Sequence, residues 1–453
     1  MQKLITKYGL AAHLAFVAVA PLFFSPTTVL WLSALAAVWL VMEPSRIGYE
    51  RLYGARRRVI RSVLSDPLFW VSLSLVVIAL MRFLNTGIGL AYDAEVGKWF
   101  VSAAAFPLLP ASVGGSDHSL VACAVASLVV LQGCRHGLGR AARGAFALVA
   151  SSITGIGAIV WSMLVNEGLP GAVKAVTLQF NNPSFQGCVY GIYLVMAIVS
   201  LAMAFECRWL RVMPVAIVGI AGNLLGLFLF SPAAVGAAFV GASLVVFLYA
   251  FVFLRLRVHK TAESKLVVFL GLAVGIAVLV AMSCLPQEMV NQRIEPFVTG
   301  TFAPEGYLTV RKALSEISLR VWMESPWLGT GLGSYALDLQ FHATPEEWKV
   351  IPPIQKTVSN GYWLLLVERG VIGAFCLAVP LLLLLGSYLI RLARGIVVRM
   401  PDPLAWTGLV LLIVAALEML VDVSFLSPAA ILSLAAVLAL SANAFPKEQK
   451  TNV

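Results

Sequence analysis

An all-α bundle set in a lipid bilayer is the fold class that this sequence predicts, on three observations. Of its 453 residues 60% are hydrophobic and 12% are charged, where soluble domains carry roughly 25% charged residues. The mean hydropathy is +0.91. Apolar runs of about 20 residues recur from end to end, long enough for a helix to cross a membrane. They are too uninterrupted for the alternating strands of an outer-membrane barrel.

About twelve spans are predicted, at residues 8–25, 27–43, 66–90, 119–134, 144–164, 187–205, 212–230, 233–254, 266–284, 370–390, 404–421 and 428–445. The first has the length of a signal peptide, but it lacks a small-residue cleavage site and a second span follows at once, so it is expected to be retained. WFVSAAAFPLLPASVGG (99–115) is expected to be a re-entrant or interfacial piece. Its two prolines disfavour a crossing, and counting it as one would move RHGLGRAAR (135–143) to the outer side, against the charge pattern.

That pattern orients the chain. The net charge of +10 invites a nucleic-acid reading. The basic residues, however, gather in short loops: Lys3 and Lys7, Arg46 to Arg61, Arg135 to Arg143, Arg208 and Arg211, Arg255 to Lys265, Arg391 to Arg399, Lys447 and Lys450. If the spans alternate, all of these fall on one face, which the positive-inside rule makes the cytoplasmic one, with both termini on it. The charge encodes topology, and no nucleic acid is expected as a partner. The six cysteines lie in or beside apolar spans without Cys-x-x-Cys spacing, so neither a metal site nor a disulfide framework is implied.

Three regions follow. Residues 1–284 form a nine-helix membrane region, 285–369 a large helical extracytoplasmic loop between the ninth and tenth spans, and 370–453 a three-helix membrane region. The loop is too polar to span and too long for a turn. It holds a helical stretch at 305–326, then GTGLGSY (329–335), PEEW and KTVSNGYWLLLVERGVIG (356–373).

Candidate chemistry concentrates there. On the helix, Arg311, Ser315, Ser318 and Trp322 recur at three or four residues, while Arg311 and Arg320 stand about 180° apart and are not co-facial. Arginine forks suit phosphate oxygens and a tryptophan face suits a sugar, so an anionic, sugar-bearing ligand fits. The competing reading pairs these arginines with Glu316 and Glu324 on a solvated helix. The Gly-x-Gly-x-Gly run lacks the preceding strand of a nucleotide loop; it reads as a tight turn that brings the backbone against a ligand or a neighbouring helix. Arg82 lies inside the third span toward its outer end, where it either snorkels or meets a lipid phosphate, with Glu418 and Asp422 as possible partners. His342 is the lone histidine of the large loop, read either as solvated or as a base. Asp93 and Glu95 are expected in a solvated outer loop.

The order of these outward features resembles the O-antigen ligases and the related O-antigen or exopolysaccharide polymerases, multi-span membrane glycosyltransferases of the GT-C type. FNNPSFQG (180–187) looks like the family's Asn-Pro motif, LRVWMESPWLGTGLGSY (319–335) like its Arg, Trp, Pro-x-x-Gly-x-Gly stretch, and VSNGYWLLLVERGVIG (358–373) like its His-Asn, Glu-x-Gly-x-x-Gly stretch. The sequence departs from the pattern at Ser359, where the family usually has histidine, and at Ser231-Pro232, where Ser-Arg is common. The resemblance implies a glycan donor on a polyprenyl diphosphate such as undecaprenyl diphosphate. It implies a saccharide acceptor, either a lipid A core or a growing polysaccharide, with membrane lipid as surroundings and no cofactor. It also implies a site on the outer face of the bacterial inner membrane. Arg320, Asn360, Glu368 and Ser359 would be the catalytic group, and Arg82, Arg311, Trp322, Asn182 and His342 would bind substrate. A transporter or flippase for lipid-linked sugars, and a non-catalytic relative, are the alternatives.

Overall fold

A computed structural model of the chain describes residues 2–42, 63–64, 67–84, 86–93, 98–102, 112–113, 118–138, 140–166, 183–206, 210–230, 233–257, 307–331, 334–351, 358, 360–398, 403–420 and 427–442. In chain order the helices are α1 (Gln2–Val19), α2 (Pro26–Met42), α3 (Pro67–Leu84), α4 (His118–Gln132), α5 (Arg140–Asn166), α6 (Pro183–Glu206), α7 (Met213–Phe230) and α8 (Ala233–Arg257). They continue with α9 (Tyr307–Glu324), α10 (Tyr335–His342), α11 (Pro345–Trp348), α12 (Gly361–Val398), α13 (Pro403–Glu418) and α14 (Pro428–Ala442). Proline opens α2, α3, α6, α11, α13 and α14, at the one helical position where its missing N–H costs nothing.

Among the described residues, four helical stretches are long and apolar enough to cross a membrane: His118–Arg135, Ala142–Met163, Gln186–Ala204 and Met213–Phe230. The expected ninth span, 266–284, lies outside the described residues.

Among the described residues the strands form one small sheet of β1 (Thr86–Asp93), β2 (Lys98–Ser102) and β3 (Ser112–Val113), in the order β2-β1-β3. β1 runs antiparallel to β2, from Gly89 opposite Ser102 to Asp93 opposite Lys98, and parallel to β3. The expected third span therefore closes at Leu84 rather than at residue 90. Residues 86–92 read TGIGLAY, with two glycines that weaken a helix and apolar residues every second position, the period of a strand. The 99–115 segment supplies most of β2 and all of β3.

α6 forms the centre of the bundle and is buried along Gln186–Ala204. It packs against α5, α7, α8, α13 and α14. The closest approach is between α5 and α7: a Cβ on Gly155 would come within 2.8 Å of the Gly219 carbonyl oxygen. Small residues of this kind let membrane helices touch at the backbone. Buried Asn223 reinforces the crossing, its Nδ2 donating to Ser151 O and Gly219 O, each at 2.7 Å. Tyr193, fully buried, ties α6 to α1 by donating to Ala18 O at 3.3 Å.

The outer helices have a small core of their own, formed by Leu314, Ile317, Val321, Tyr335, Leu339, Ile351, Val358 and Val367. Across it Ser318 Oγ donates to Tyr335 Oη at 3.1 Å, joining α9 to α10. This core aligns α9 with the first turns of α12 and so positions the candidate site.

Candidate functional site

The two glycine-rich stretches interlock. In a regular helix Val371 N would donate to Val367 O, and Ile372 N to Glu368 O. Here the 325–331 turn takes over all four groups. Val371 N donates to Pro326 O (2.8 Å) and Ile372 N to Trp327 O (3.1 Å), while Val367 O accepts from Thr330 N (2.8 Å) and Glu368 O from Gly331 N (3.1 Å). α12 breaks at Gly370, with φ 62° and ψ −174°, a region essentially reserved for glycine. Gly329, with φ 74°, presses against it so closely that a Cβ there would lie 2.5 Å from Arg369 N. The expected tight turn thus approaches a neighbouring helix, and these four backbone groups stay hydrogen-bonded across the break. Glu368 and Arg369, both half-buried, flank this junction.

A second group lies along α9. Arg320 Nη2 donates to both carboxylate oxygens of Glu347 at 2.7 Å and to His342 O at 3.2 Å. Glu347 also closes a capping box with Thr344 at the start of α11. Burial alone would raise the Glu347 carboxyl; the bonds from Arg320 and Thr344 outweigh it and hold the group below the usual carboxylate range. His342 Nδ1 bonds Asp338 O at 2.9 Å and Nε2 bonds Glu324 Oε1 at 2.8 Å. Both partners are acceptors, so both ring nitrogens carry hydrogen when both bonds are made, which is the imidazolium form. Partial burial pulls the His342 pKa down, but the bonds to Glu324 and Asp338 outweigh it and raise it. The expected pairing of the α9 arginines with Glu316 and Glu324 is therefore replaced: Arg320 takes Glu347, Glu324 takes His342, and Glu316 approaches Lys312 at 4.0 Å.

A third group gathers at the start of α12. Asn360 Oδ1 accepts from Tyr362 N (2.9 Å) and Trp363 N (3.4 Å), capping the helix. Gly361 N donates to Met419 O at 2.7 Å, Tyr362 Oη to Ala416 O at 2.8 Å, and Arg311 Nη2 to Leu420 O at 3.3 Å. In the same segment Glu418 is buried, 3% exposed, and accepts from Cys188 Sγ of α6 at 3.9 Å. The end of α13 is thus where α6, α9 and α12 converge.

The structure therefore brings Arg311 and Gly361, the neighbour of Asn360, onto adjoining residues of one segment, and sets Arg320 and His342 together in a separate network. Arg311 and Arg320 are about 13 Å apart along α9. Trp322 packs on the outer core with its Nε1 buried and no hydrogen bond among the described residues, whereas Trp327 is exposed. Arg82 lies in the last turn of α3. Ser359 and Asn182 lie outside the described residues, as does Asp422, although Pro183, next to Asn182, opens α6. In the sequence an unexpected carboxylate in an apolar span marks Glu418, whereas nothing there marks the bond from Tyr362 to α13.

Residues 224–378 match the profile of the family described as O-antigen ligase. The chain carries an O-antigen ligase domain. This O-antigen ligase region runs from α7 into α12 and contains the glycine interlock, both arginines of α9, His342, Asn360 and Glu368. No curated protein matches the chain. Its apolar helices and this O-antigen ligase domain together support a multi-pass membrane protein.

Proposed function

We propose that the protein transfers a glycan from a polyprenyl-diphosphate carrier to a sugar hydroxyl, on the outer face of the bacterial inner membrane, as an O-antigen ligase or a polymerase with both termini in the cytoplasm. The match of residues 224–378 to the O-antigen ligase family carries this reading. The acceptor oxygen attacks the anomeric carbon as the bond from that carbon to the diphosphate breaks. The diphosphate departs with the bonding electrons, and the hydroxyl proton passes to a base.

Arginines would neutralise the charge that develops on the leaving diphosphate, a preorganised effect commonly worth several kcal/mol. Arg311 is the first choice, because it reaches the Asn360 end of α12, with Arg82 as its companion. Arg320 reaches the ligand only by exchanging or sharing Glu347. Among the expected bases His342 is held toward imidazolium, which leaves Glu368, beside the glycine interlock, as the proton acceptor. Ser359 and Asn182 would complete the acceptor and carrier contacts.

The test is a paired analysis of surface polysaccharide and carrier-linked glycan in cells lacking the gene, complemented with wild type, Arg311→Ala or Glu368→Gln. Single repeats without long chains identify a polymerase, and long chains stranded on the carrier identify a ligase. Unchanged glycans in both pools refute the transfer reaction.

A further inference from the structure

We propose that the Trp327-Leu328 turn is a lipid anchor that seats the outer helices α9 to α11 on the bilayer at the headgroup and acyl-chain boundary. α12 has 38 residues and would measure about 57 Å if straight, nearly twice the roughly 30 Å of a hydrocarbon core. Its uncharged stretch begins at Val371 and runs to Ile390, where Arg391 ends it, the length of one crossing. The break at Gly370 immediately precedes this stretch. The turn is bonded to its first two residues, Val371 N to Pro326 O and Ile372 N to Trp327 O, and so lies level with the outer end of the crossing.

The side chains agree with that height. Trp327 is 66% and Leu328 69% exposed, and so are Ile372 and Phe375, at 49% and 66%, in the first two turns of the apolar stretch. Exposed apolar residues continue down the same helix through Leu382 to Ile390. A turn whose apolar side chains adjoin the lipid-facing side of a crossing shares the solvent of that crossing. Tryptophan suits this boundary, because its large ring is apolar and its N–H reaches the headgroups. The charged pairs Arg320–Glu347 and Lys349–Glu346, on α9, on α11 and at the end of α11, stay with water. The bilayer, rather than a second copy of the chain, is the occupant, because this apolar surface is continuous with one that must already face lipid. The inference rests on the membrane location and not on the transfer reaction.

Full-length protein in nanodiscs, with the native cysteines replaced, would carry a nitroxide at Leu328→Cys or, as a water-side reference, at Glu346→Cys. Power saturation should show oxygen reaching the 328 label more readily than a water-soluble nickel chelate, with the reverse at 346. A 328 label as open to nickel as the reference overturns the anchor, and so does one closed to both reagents, which would mean a protein cover. Should the cysteine-free chain fail to fold, brominated lipids decide in the native background: Trp327→Phe should reduce the lipid-quenched share of tryptophan emission, and an unchanged share overturns the proposal. Neither measurement depends on glycan transfer.

Discussion

Gly329 and Gly370 meet backbone to backbone, each at positive φ, 74° and 62°, so that the outer turn replaces one step of hydrogen bonding inside α12. Alanine at either position adds backbone strain of on the order of 1–3 kcal/mol and a clash that only a backbone shift relieves. Both variants should lower the thermal unfolding midpoint in detergent. Gly331→Ala, with φ 111° and open space around it, should show the strain without the clash and fall between them and wild type.

Arg320 and Glu347 give a direct way to separate a scaffold role from a ligand role. If Arg320 acts through α11 alone, Arg320→Ala and Glu347→Ala should reduce glycan transfer equally, and the double variant should be no worse than either. If Arg320 also touches phosphate, its alanine variant should be the poorer by about 10-fold or more. The stability coupling of the pair, read from a double-mutant cycle under denaturant, should be about 1 kcal/mol, the upper end for a partly exposed ion pair.

The pH dependence of the outer helices has a definite sign. His342 binds its proton more tightly folded than unfolded, so its contribution is complete below the ordinary value of 6.5 and is lost as pH rises through the raised folded value. Glu347 has a lowered folded value, so its contribution is complete above the ordinary 4.5 and is lost as pH falls. Proteolytic resistance of the 307–350 region should peak between these limits. His342→Gln should remove the decline on the alkaline side and leave the acid side unchanged.

Glu368→Gln should lower the rate of transfer by about 10²–10⁴-fold, the usual worth of a general base, and remove the acid limb of the pH–rate profile. Arg311→Ala should cost roughly 10²–10³-fold in rate, the loss typical of one charge-stabilising donor. A reconstituted assay with carrier-linked glycan reads both, at protein levels matched to wild type.

Asn360→Ala should destabilise the start of α12 by about 1 kcal/mol through loss of its cap, and Asn360→Asp should restore most of it. Equal loss of transfer in both variants would show that the amide group does more than cap.

Hydropathy made the bundle legible, because a crossing helix must be apolar along its length. The expected 212–230 span falls on Met213–Phe230 almost to the residue, a helix long and apolar enough to cross. It overran at 66–90, since TGIGLAY is apolar enough to extend a helix while its spacing is that of a strand. The glycine run of 329–335 was readable as a close turn, but its partner was not: nothing local to Gly370 says which segment will supply four replacement hydrogen bonds. The α9 arginines misled for a related reason. Helical spacing favours neighbours three or four residues away, whereas Arg320 finds its carboxylate 27 residues on, through a fold that only the packed outer core defines.

The central position of α6 bears on how the protein is made. Two of the helices that enclose it, α13 and α14, are the last described in the chain. During synthesis α6 enters the membrane with one flank uncovered until those helices arrive, and Cys188 of α6 meets Glu418 only then. Assembly of the interior is therefore a late, chain-length-dependent event. Release of a nascent chain before α13 would leave a membrane-inserted but open bundle, the form that quality-control proteases are suited to remove.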